Sequence, residues 1–110
     1  MTVELLELTL FVTDVDATAR FYQAVGLHLF CVEEPGYPRH YDGELGFQLW
    51  PAHARHPVSH FQMGLVVEDI ATSVRQLTSA GAQWTCRFPN FATTHDPDGN
   101  KINLAQRRQA

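Results

Sequence analysis

The chain has 110 residues, 45% of them hydrophobic, and a formal net charge of −4 at pH 7. This size predicts one compact domain, or two small modules that share a core. No run of Lys or Arg marks a nucleic-acid track, no apolar run could span a bilayer, and the N-terminus lacks a signal-peptide pattern. We therefore expect a cytoplasmic protein in which Cys31 and Cys86 are reduced and behave as small buried hydrophobes.

The first half of the chain predicts a strand, a helix and three shorter strands. Residues 5–12 are apolar and branched, as strands are, and Asp14 then offers an N-cap oxygen to a helix with an apolar stripe. Gly26 fits the position after the helix, where glycine tolerates a left-handed backbone. Asp42-Gly43 is a favourable turn dipeptide, and the three strands are expected at about residues 27–33, 39–44 and 46–50.

The second half repeats this order 55 residues later, without a gap. The same residue recurs from the first strand to the last: Val3 and Val58, Leu10 and Leu65, Asp14 and Asp69, Gly26 and Gly81, Cys31 and Cys86, His40 and His95, Leu49 and Leu104. The prediction is an α+β fold of two βαβββ modules, at about residues 3–50 and 58–106, joined by a proline-bracketed linker at 51–57. The second set of strands is expected at about residues 60–67, 83–88, 91–95 and 101–105.

Strand alternation divides the predicted sheets into an apolar face and a mixed face. The apolar face, which can pack under the helices, includes Leu6, Leu8, Leu10 and Val12. The mixed face combines polar and aromatic side chains: Glu7, Phe11, Gln48, Trp50, His60, Gln62 and Asn103. A sheet with one wet face shows the same alternation, so these residues need no function. A binding site is favoured because the polar set is symmetric under the repeat, and because Trp50 is unusual beside bulk water.

The remaining histidines and aromatic residues have structural roles as their first interpretation. His53 and His56 lie in the linker, where a solvated surface role is expected, and His40 and His95 are expected to support loops before turns. His60 is the first choice for a titrating group near a ligand. Core filling or dimer contact is the default for the other aromatic residues, and stacking on a planar ligand is the alternative: Tyr37, Tyr41, Trp84, Phe88 and Phe91.

Three segments of the chain resemble the vicinal oxygen chelate superfamily: "LTLFVTDVDATARFYQAVGL", "LVVEDIATSVRQLTSAGA" and "THDPDGNKINLAQ". That superfamily includes glyoxalase I, bleomycin-resistance proteins and extradiol dioxygenases. The resemblance covers nearly the whole chain. It implies a single glyoxalase/bleomycin-resistance-like domain over residues 1–110, whose curled mixed sheets form a central cleft, commonly in a homodimer.

The resemblance also implies where a metal ion would bind. In metal-dependent members the ligands are His, Gln or Glu from the first and last strands of each module, at the positions of Glu7, Gln48, Gln62 and Asn103. Only Glu7 is charged here, whereas zinc, nickel and iron favour imidazole, thiolate and carboxylate donors. One carboxylate and three amides could at best hold calcium or magnesium weakly. We therefore expect no catalytic metal and no cofactor.

Three functions are compatible with these residues. The preferred one is a metal-independent protein that binds a small organic molecule, cationic or aromatic, as the bleomycin-resistance branch does. The second is a lyase, isomerase or dioxygenase of the same fold, with Glu7 as a general base or as a weak metal ligand. The third is a protein whose ancestral site has decayed and which keeps a partner-binding surface. The sequence leaves open the ligand and whether any reaction is catalysed.

Overall fold

The computed structural model describes residues 2–108, which form two compact units. The first unit comprises the described residues up to Gln23 together with Leu27–Ser59, and the second comprises Ala24–Gly26 and the described residues from His60 onward. In the described part of the chain, no helix is long and apolar enough to cross a membrane. Each unit contains a four-stranded mixed sheet, which confirms the predicted α+β class with two repeated modules.

The first sheet places its first and last strands side by side. Its elements are β1 (Leu8–Val12), α1 (Val15–Val25), β2 (Leu29–Val32), β3 (His40–Gly43) and β4 (Phe47–Pro51). The strand order is β1-β4-β3-β2. β1 and β4 are parallel, and the pairs β2–β3 and β3–β4 are antiparallel.

The second sheet has the same topology. Its elements are β5 (Gln62–Val67), α2 (Ile70–Ser79), β6 (Cys86–Phe88), β7 (Phe91–His95) and β8 (Lys101–Gln106). The strand order is β5-β8-β7-β6. β5 and β8 are parallel, and the pairs β6–β7 and β7–β8 are antiparallel.

Both helices begin and end at the residues that the sequence indicates. Asp14 and Asp69 each accept a hydrogen bond from a first-turn backbone N–H, at 3.0 and 3.2 Å. These bonds satisfy donors that a helix start would otherwise leave unpaired. Gly26 and Gly81 follow the helices with φ angles of 129° and 96°. A β-carbon is strained in that region, so glycine is the favoured residue there.

One face of each sheet is buried, and the helix of the same module contributes to its core. In the first unit Leu49 is fully buried, and the ring of Tyr22 lies 5.2 Å from that of Phe47. In the second unit α2 contacts β8, and both elements contribute fully buried residues: Leu77, Ile102 and Leu104. Burial of these apolar side chains supplies most of the free energy that stabilises each unit.

A polar network ties α1 to β3. Tyr41 Oη donates to Asp16 Oδ1 at 2.6 Å, and Arg39 Nε donates to the same oxygen at 3.0 Å. Arg39 also pairs with Glu33. The hydrogen bond from Tyr41, followed by that from Arg39, lowers the pKa of Asp16 below its ordinary value. The same bond raises the pKa of Tyr41, because the phenol must lose a proton that the carboxylate accepts.

β1 is shorter than predicted and begins at Leu8 rather than at residue 5. Its partner β4 also begins there, since Leu8 pairs with Phe47. Residues before Leu8 therefore have no strand to pair with in this sheet. Leu6 is 85% exposed and Leu8 is 40% exposed, so their predicted place in the core is wrong, whereas Leu10 and Val12 are buried as expected.

The ungapped repeat fails in the middle strands. Asp42 pairs with Gln48, whereas Thr93 pairs with Asn103, which is the counterpart of Gln48. Asp42 and Thr93 are 51 residues apart, not 55, because the β7–β8 connection is longer than the β3–β4 connection. His40 and its sequence match His95 therefore occupy different places in their sheets.

The two cysteines are likewise not equivalent. Cys31 pairs with Tyr41, whose side chain points towards α1. Cys86 pairs with Thr93, which lies on the face of its sheet that points away from the helix. Cys31 is exposed and Cys86 is half-buried, and both are free thiols. Both lie on edge strands of their sheets, so the prediction that they are buried hydrophobes is wrong.

Candidate functional site

Three of the predicted site residues lie together on one face of the first sheet. Phe11 of β1 pairs with Trp50 of β4, Gln48 precedes Trp50 by two residues, and all three are half-buried. Residues two apart on a strand share a face, and paired residues share it as well. We term this surface the first polar face, and it consists of Thr9, Phe11, His40, Asp42, Gln48 and Trp50.

A hydrogen bond fixes the orientation of the Gln48 amide. Trp50 Nε1 donates to Gln48 Oε1 at 3.0 Å, and Thr9 Oγ1 lies 3.5 Å from the same oxygen. An indole N–H can only donate, so the atom that faces it must be the amide oxygen. The nitrogen Nε2 is thereby turned to the other side, and no atom of residues 2–108 accepts a hydrogen bond from it.

β3 adds His40 and Asp42 to this face, and the sequence interpretation missed both. Asp42 pairs directly with Gln48, and His40 lies two residues earlier. Both residues fall within the strand predicted at about residues 39–44, and the turn follows Gly43 as a 3₁₀ segment at Glu44–Gly46. Tyr41 lies between His40 and Asp42 and points to the opposite face. Dividing this predicted strand into its two faces, as was done for the first and last strands, would have found the pair.

His40 stacks on Trp50, with ring centroids 3.7 Å apart and an interplanar angle of 11°. Its Nδ1 lies 2.9 Å from the carbonyl oxygen of Pro38, so in the neutral ring Nδ1 carries the proton and donates it. Its Nε2 lies 3.9 Å from Asp42 Oδ1, too far for a hydrogen bond. That oxygen is buried and accepts no hydrogen bond within the described residues, although the Asp42 side chain is 40% exposed.

The linker folds back over Phe11. His53 and His56 close a tight turn through two backbone hydrogen bonds of 2.9 and 3.0 Å. His56 stacks on Phe11 at 4.3 Å, and His53 meets the same ring edge-on at 6.0 Å. Ser59 bonds to both the backbone N–H and the carbonyl of Phe11, which fixes this edge of β1. Both histidines are exposed as expected, but they also contact a predicted site residue, which their place in the sequence could not show.

Glu7 lies just outside the first sheet, in the segment before β1. Its backbone runs close to Gly46, where a β-carbon would come within 3.0 Å of Glu7 Cα. Gly46 also has a φ of 74°, so both the space and the backbone require glycine there. Glu7 is exposed, and solvent therefore screens its charge.

The second sheet carries a corresponding second polar face, which consists of Gln62, Gly64, Val66, Thr93, Asn103 and Ala105. Asn103 Oδ1 accepts a hydrogen bond of 2.7 Å from Thr93 Oγ1, so this amide is tied to the neighbouring strand. Gln62 is exposed at the start of β5. His60 is also exposed and lies before the first residue of β5. Strand alternation, which assigned His60 to the mixed face, therefore does not apply to it.

The sequence matches the model of the glyoxalase-like domain family over residues 7–105. The chain belongs to this family. The match confirms the resemblance to the vicinal oxygen chelate superfamily, and it spans both sheets. No curated protein matches the sequence.

Solved structures share the fold of this glyoxalase-like domain at low sequence identity. The antibiotic-binding protein TnmS3 from Streptomyces sp. CB03234 is 21% identical with a TM-score of 0.69, and the match covers 97% of this chain and 98% of that one. The trypanothione-dependent glyoxalase I of Leishmania major is 18% identical, with a TM-score of 0.71 and coverages of 96% and 87%. The fosfomycin resistance protein FosX from Mesorhizobium loti is 15% identical, with a TM-score of 0.72 and coverages of 96% and 92%.

The donor chemistry of this glyoxalase-like domain does not fit the metal site of its metal-dependent relatives. The amide oxygens of Gln48 and Asn103, which would have to coordinate the ion, already accept hydrogen bonds from Trp50 and Thr93. Transition metals also prefer imidazole, thiolate and carboxylate donors to neutral amides. Among residues 2–108, no three His, Cys, Asp or Glu side chains are grouped so that they could hold a metal ion. The two faces offer hydrogen bonding and aromatic contact instead.

Proposed function

We propose that this glyoxalase-like protein binds a small planar organic molecule at the first polar face, without a metal ion. Phe11 and Trp50 supply apolar contact, and Gln48 supplies a directed polar contact. The other predicted ligand-binding residues stay predictions, and they are Glu7, His60, Gln62 and Asn103. A homodimer and a cytoplasmic location also stay predictions.

The hydrogen bond from Trp50 to Gln48 is the observation that carries the proposal. It joins a large half-buried aromatic ring to an amide whose nitrogen has no acceptor among residues 2–108. His40 stacks on one side of the Trp50 ring and restricts its motion. Ligand binding therefore costs little additional side-chain entropy. An apolar surface with a few oriented polar groups is the usual form of a small-molecule site.

The structural neighbours support binding of a small molecule. TnmS3, which is described as an antibiotic-binding protein, matches this chain along nearly its whole length. The neighbours also include a protein described as a glyoxalase/bleomycin resistance protein from the same Streptomyces strain. At 21% and 23% identity these proteins share the fold, so they support a class of function and do not identify the ligand.

The absence of a metal requirement is supported by the chemistry of the amides. A cation at these positions would compete with the indole N–H for the oxygen of Gln48 and with the hydroxyl of Thr93 for that of Asn103. Breaking such a bond leaves a buried or half-buried donor unsatisfied, at a cost of about 1–3 kcal/mol. Neutral amide oxygens return little of that cost when they bind zinc, nickel or iron.

The two tryptophans provide a test with an internal control. The indole of Trp50 donates to Gln48, and that of Trp84 donates to Thr78 at 2.9 Å. In NMR spectra of isotope-labelled protein we expect benzamide, as a planar probe, to shift the indole N–H signal of Trp50 and to leave that of Trp84 in place. Trp84→Phe assigns the two signals. Titration in the presence of EDTA should give the same affinity.

Two results would overturn this proposal. If neither benzamide nor charged one-ring analogues shift the Trp50 signal, the first polar face does not bind planar molecules. If the purified protein retains a stoichiometric transition metal through dialysis, or if EDTA abolishes the shift, the binding depends on a metal. Trp50→Ala is the matched loss-of-contact variant, and calorimetric titration, which needs no indole signal, should show an affinity for benzamide at least about tenfold lower.

A further inference from the structure

Asp42 and Gln48 are direct partners across β3 and β4. Opposed residues of an antiparallel pair have β-carbons about 4.5–5.5 Å apart and point to the same face. A carboxylate and an amide therefore stand side by side on the first polar face. Trp50 follows Gln48 by two residues, so the pair lies next to the aromatic part of the same face.

The amide of this pair presents a donor. Its oxygen accepts from Trp50, which leaves Nε2 without an acceptor among residues 2–108. The opposite orientation would direct two N–H donors at each other, so the indole excludes it. Gln48 therefore offers hydrogens, and not an oxygen, to a molecule that approaches this face.

The carboxylate of this pair presents an acceptor. Asp42 Oδ1 is buried without a hydrogen bond in the described part of the chain, so the 40% exposure of the side chain comes from its other atoms. His40 does not satisfy it, because its Nε2 is 3.9 Å away and carries a lone pair when Nδ1 donates to Pro38. Because Oδ1 is enclosed, Oδ2 is the oxygen of this carboxylate that can accept a hydrogen bond from a ligand.

We propose that Asp42 and Gln48 recognise a neutral carboxamide or lactam edge. Gln48 Nε2 donates to the carbonyl oxygen of the ligand, and the Asp42 carboxylate accepts from the neighbouring N–H. The planar ring that carries this edge lies against Trp50 and Phe11. The inference rests on the proposed function and deepens it, because it names the class of ligand.

Charged groups match this pair less well than an amide does. A cation satisfies Asp42 but meets the N–H donors of Gln48. An anion accepts from Gln48 but is repelled by the carboxylate beside it. Only a group with a donor and an acceptor on one edge satisfies both side chains, and a group left unpaired costs affinity.

Four one-ring probes separate these cases: benzamide, N,N-dimethylbenzamide, benzoate and benzylammonium. Their dissociation constants are measured from the indole signal of Trp50. We expect benzamide to bind about tenfold more tightly than N,N-dimethylbenzamide, which keeps the carbonyl but lacks the N–H. Benzoate and benzylammonium should each bind more weakly than benzamide.

Two variants and one control assign the preference to the pair. Asp42→Ala should reduce the affinity for benzamide to that for N,N-dimethylbenzamide. Gln48→Glu replaces the donor by a second carboxylate and should make benzylammonium the tightest probe. Glu68→Ala removes an exposed carboxylate in the other unit and should leave the tenfold ratio unchanged.

The outcomes distinguish this inference from the proposed function. Equal affinities for the two amides, or tightest binding of benzylammonium to the unaltered protein, would overturn the inference while binding itself stands. An Asp42→Ala protein that keeps the tenfold ratio would also overturn it. If none of the four probes moves the Trp50 signal, the proposed function fails.

Discussion

The two polar faces show how one scaffold can carry different surfaces. The ionisable side chains His40 and Asp42 of the first face have the uncharged counterparts Phe91 and Thr93 in the second sheet. The other counterparts are small or aliphatic: Gly64 for Thr9, Val66 for Phe11 and Ala105 for Trp50. The buried faces differ far less, because Val12 matches Val67 and Leu49 matches Leu104. The core therefore keeps the repeat, and the exposed side of the sheet is where the halves differ.

The amide on the last strand is the feature that both faces share. In each sheet its oxygen accepts a hydrogen bond from its own sheet, from the indole of Trp50 in the first and from the hydroxyl of Thr93 in the second. The partners are different, yet the result is the same: an amide with its oxygen engaged. Only in the first sheet does a carboxylate stand beside that amide, so the recognition chemistry is concentrated there.

The largest expected effect tests whether the two units fold as one domain. Leu49→Ala and Leu104→Ala each remove a fully buried side chain at equivalent positions of the two sheets. Each should lower the free energy of unfolding by about 2–5 kcal/mol, because a cavity adds to the lost burial. We propose that residues 1–110 form a single domain, so both variants should shift the same single transition in urea. Two separate transitions, each sensitive to one variant, would contradict this.

The second prediction concerns the connections between the last two strands of each module, which differ in length. The β7–β8 connection is longer than the β3–β4 turn, and buried Asp96 organises it by accepting from the backbone N–H groups of Asp98 and Asn100 at 3.0 and 2.9 Å. Asn100 in turn accepts from the backbone of Phe61 at 3.0 Å. Asp96→Ala should therefore cost about 2–3 kcal/mol in unfolding free energy, because several donors lose their acceptor.

Asp96→Asn is the matched control for this prediction. It keeps one acceptor oxygen and removes only the charge, so urea unfolding should show a smaller loss than for Asp96→Ala. Equal losses would indicate that the volume of the side chain matters and not its hydrogen bonds.

A smaller loss of unfolding free energy is expected when the amides of Gln48 and Asn103 lose their hydrogen-bond donors. Thr93→Val removes the hydroxyl that donates to Asn103 and keeps the shape of the side chain. The loss should be about 0.5–1.5 kcal/mol in urea unfolding, as for an ordinary hydrogen bond. Trp50→Phe is the counterpart in the first sheet, since it removes the donor to Gln48 and keeps an aromatic ring. If Trp50→Phe changes nothing while Thr93→Val does, the amide of Gln48 is not fixed by the indole.

The sequence predicted the architecture because the repeated pattern is long and consistent. Alternation in β1 and β4 placed Phe11, Gln48 and Trp50 on one face, and the aspartates and glycines at the helix ends marked both helices correctly. Each of these signals depends on local chemistry. They needed no knowledge of which strands pair.

The missed residues are those whose position depends on pairing register. Asp42 fell within the strand predicted at about residues 39–44, but only its pairing with Gln48 shows that it belongs to the first polar face. His40 was matched to His95 because the ungapped repeat could not reveal the longer β7–β8 connection. His56 reaches Phe11 only because a turn reverses the linker, and that closure is not visible in the order of the residues.

The smallest expected effect concerns the helices, which differ in how they are tied to their sheets. Asp16 on α1 bonds to Tyr41 and Arg39, whereas the matching position on α2 is Ala71. The folded-state pKa of Asp16 is lowered, so its contribution to stability is present above about pH 4, its ordinary range, and is lost as the pH falls through the folded value. Asp16→Asn cannot gain this contribution at any pH.

We therefore expect the difference in urea midpoint between the unaltered protein and Asp16→Asn to shrink as the pH falls from about 7 to about 3. Other carboxylates titrate in both proteins, so the difference is the informative quantity. Tyr41→Phe should show part of the same effect, because the hydrogen bond from Tyr41 is the main cause of the lowered pKa. A difference that stays constant with pH would mean that Asp16 stabilises the first unit only through its shape. The polar tie between α1 and β3 would then contribute no charge-dependent stability.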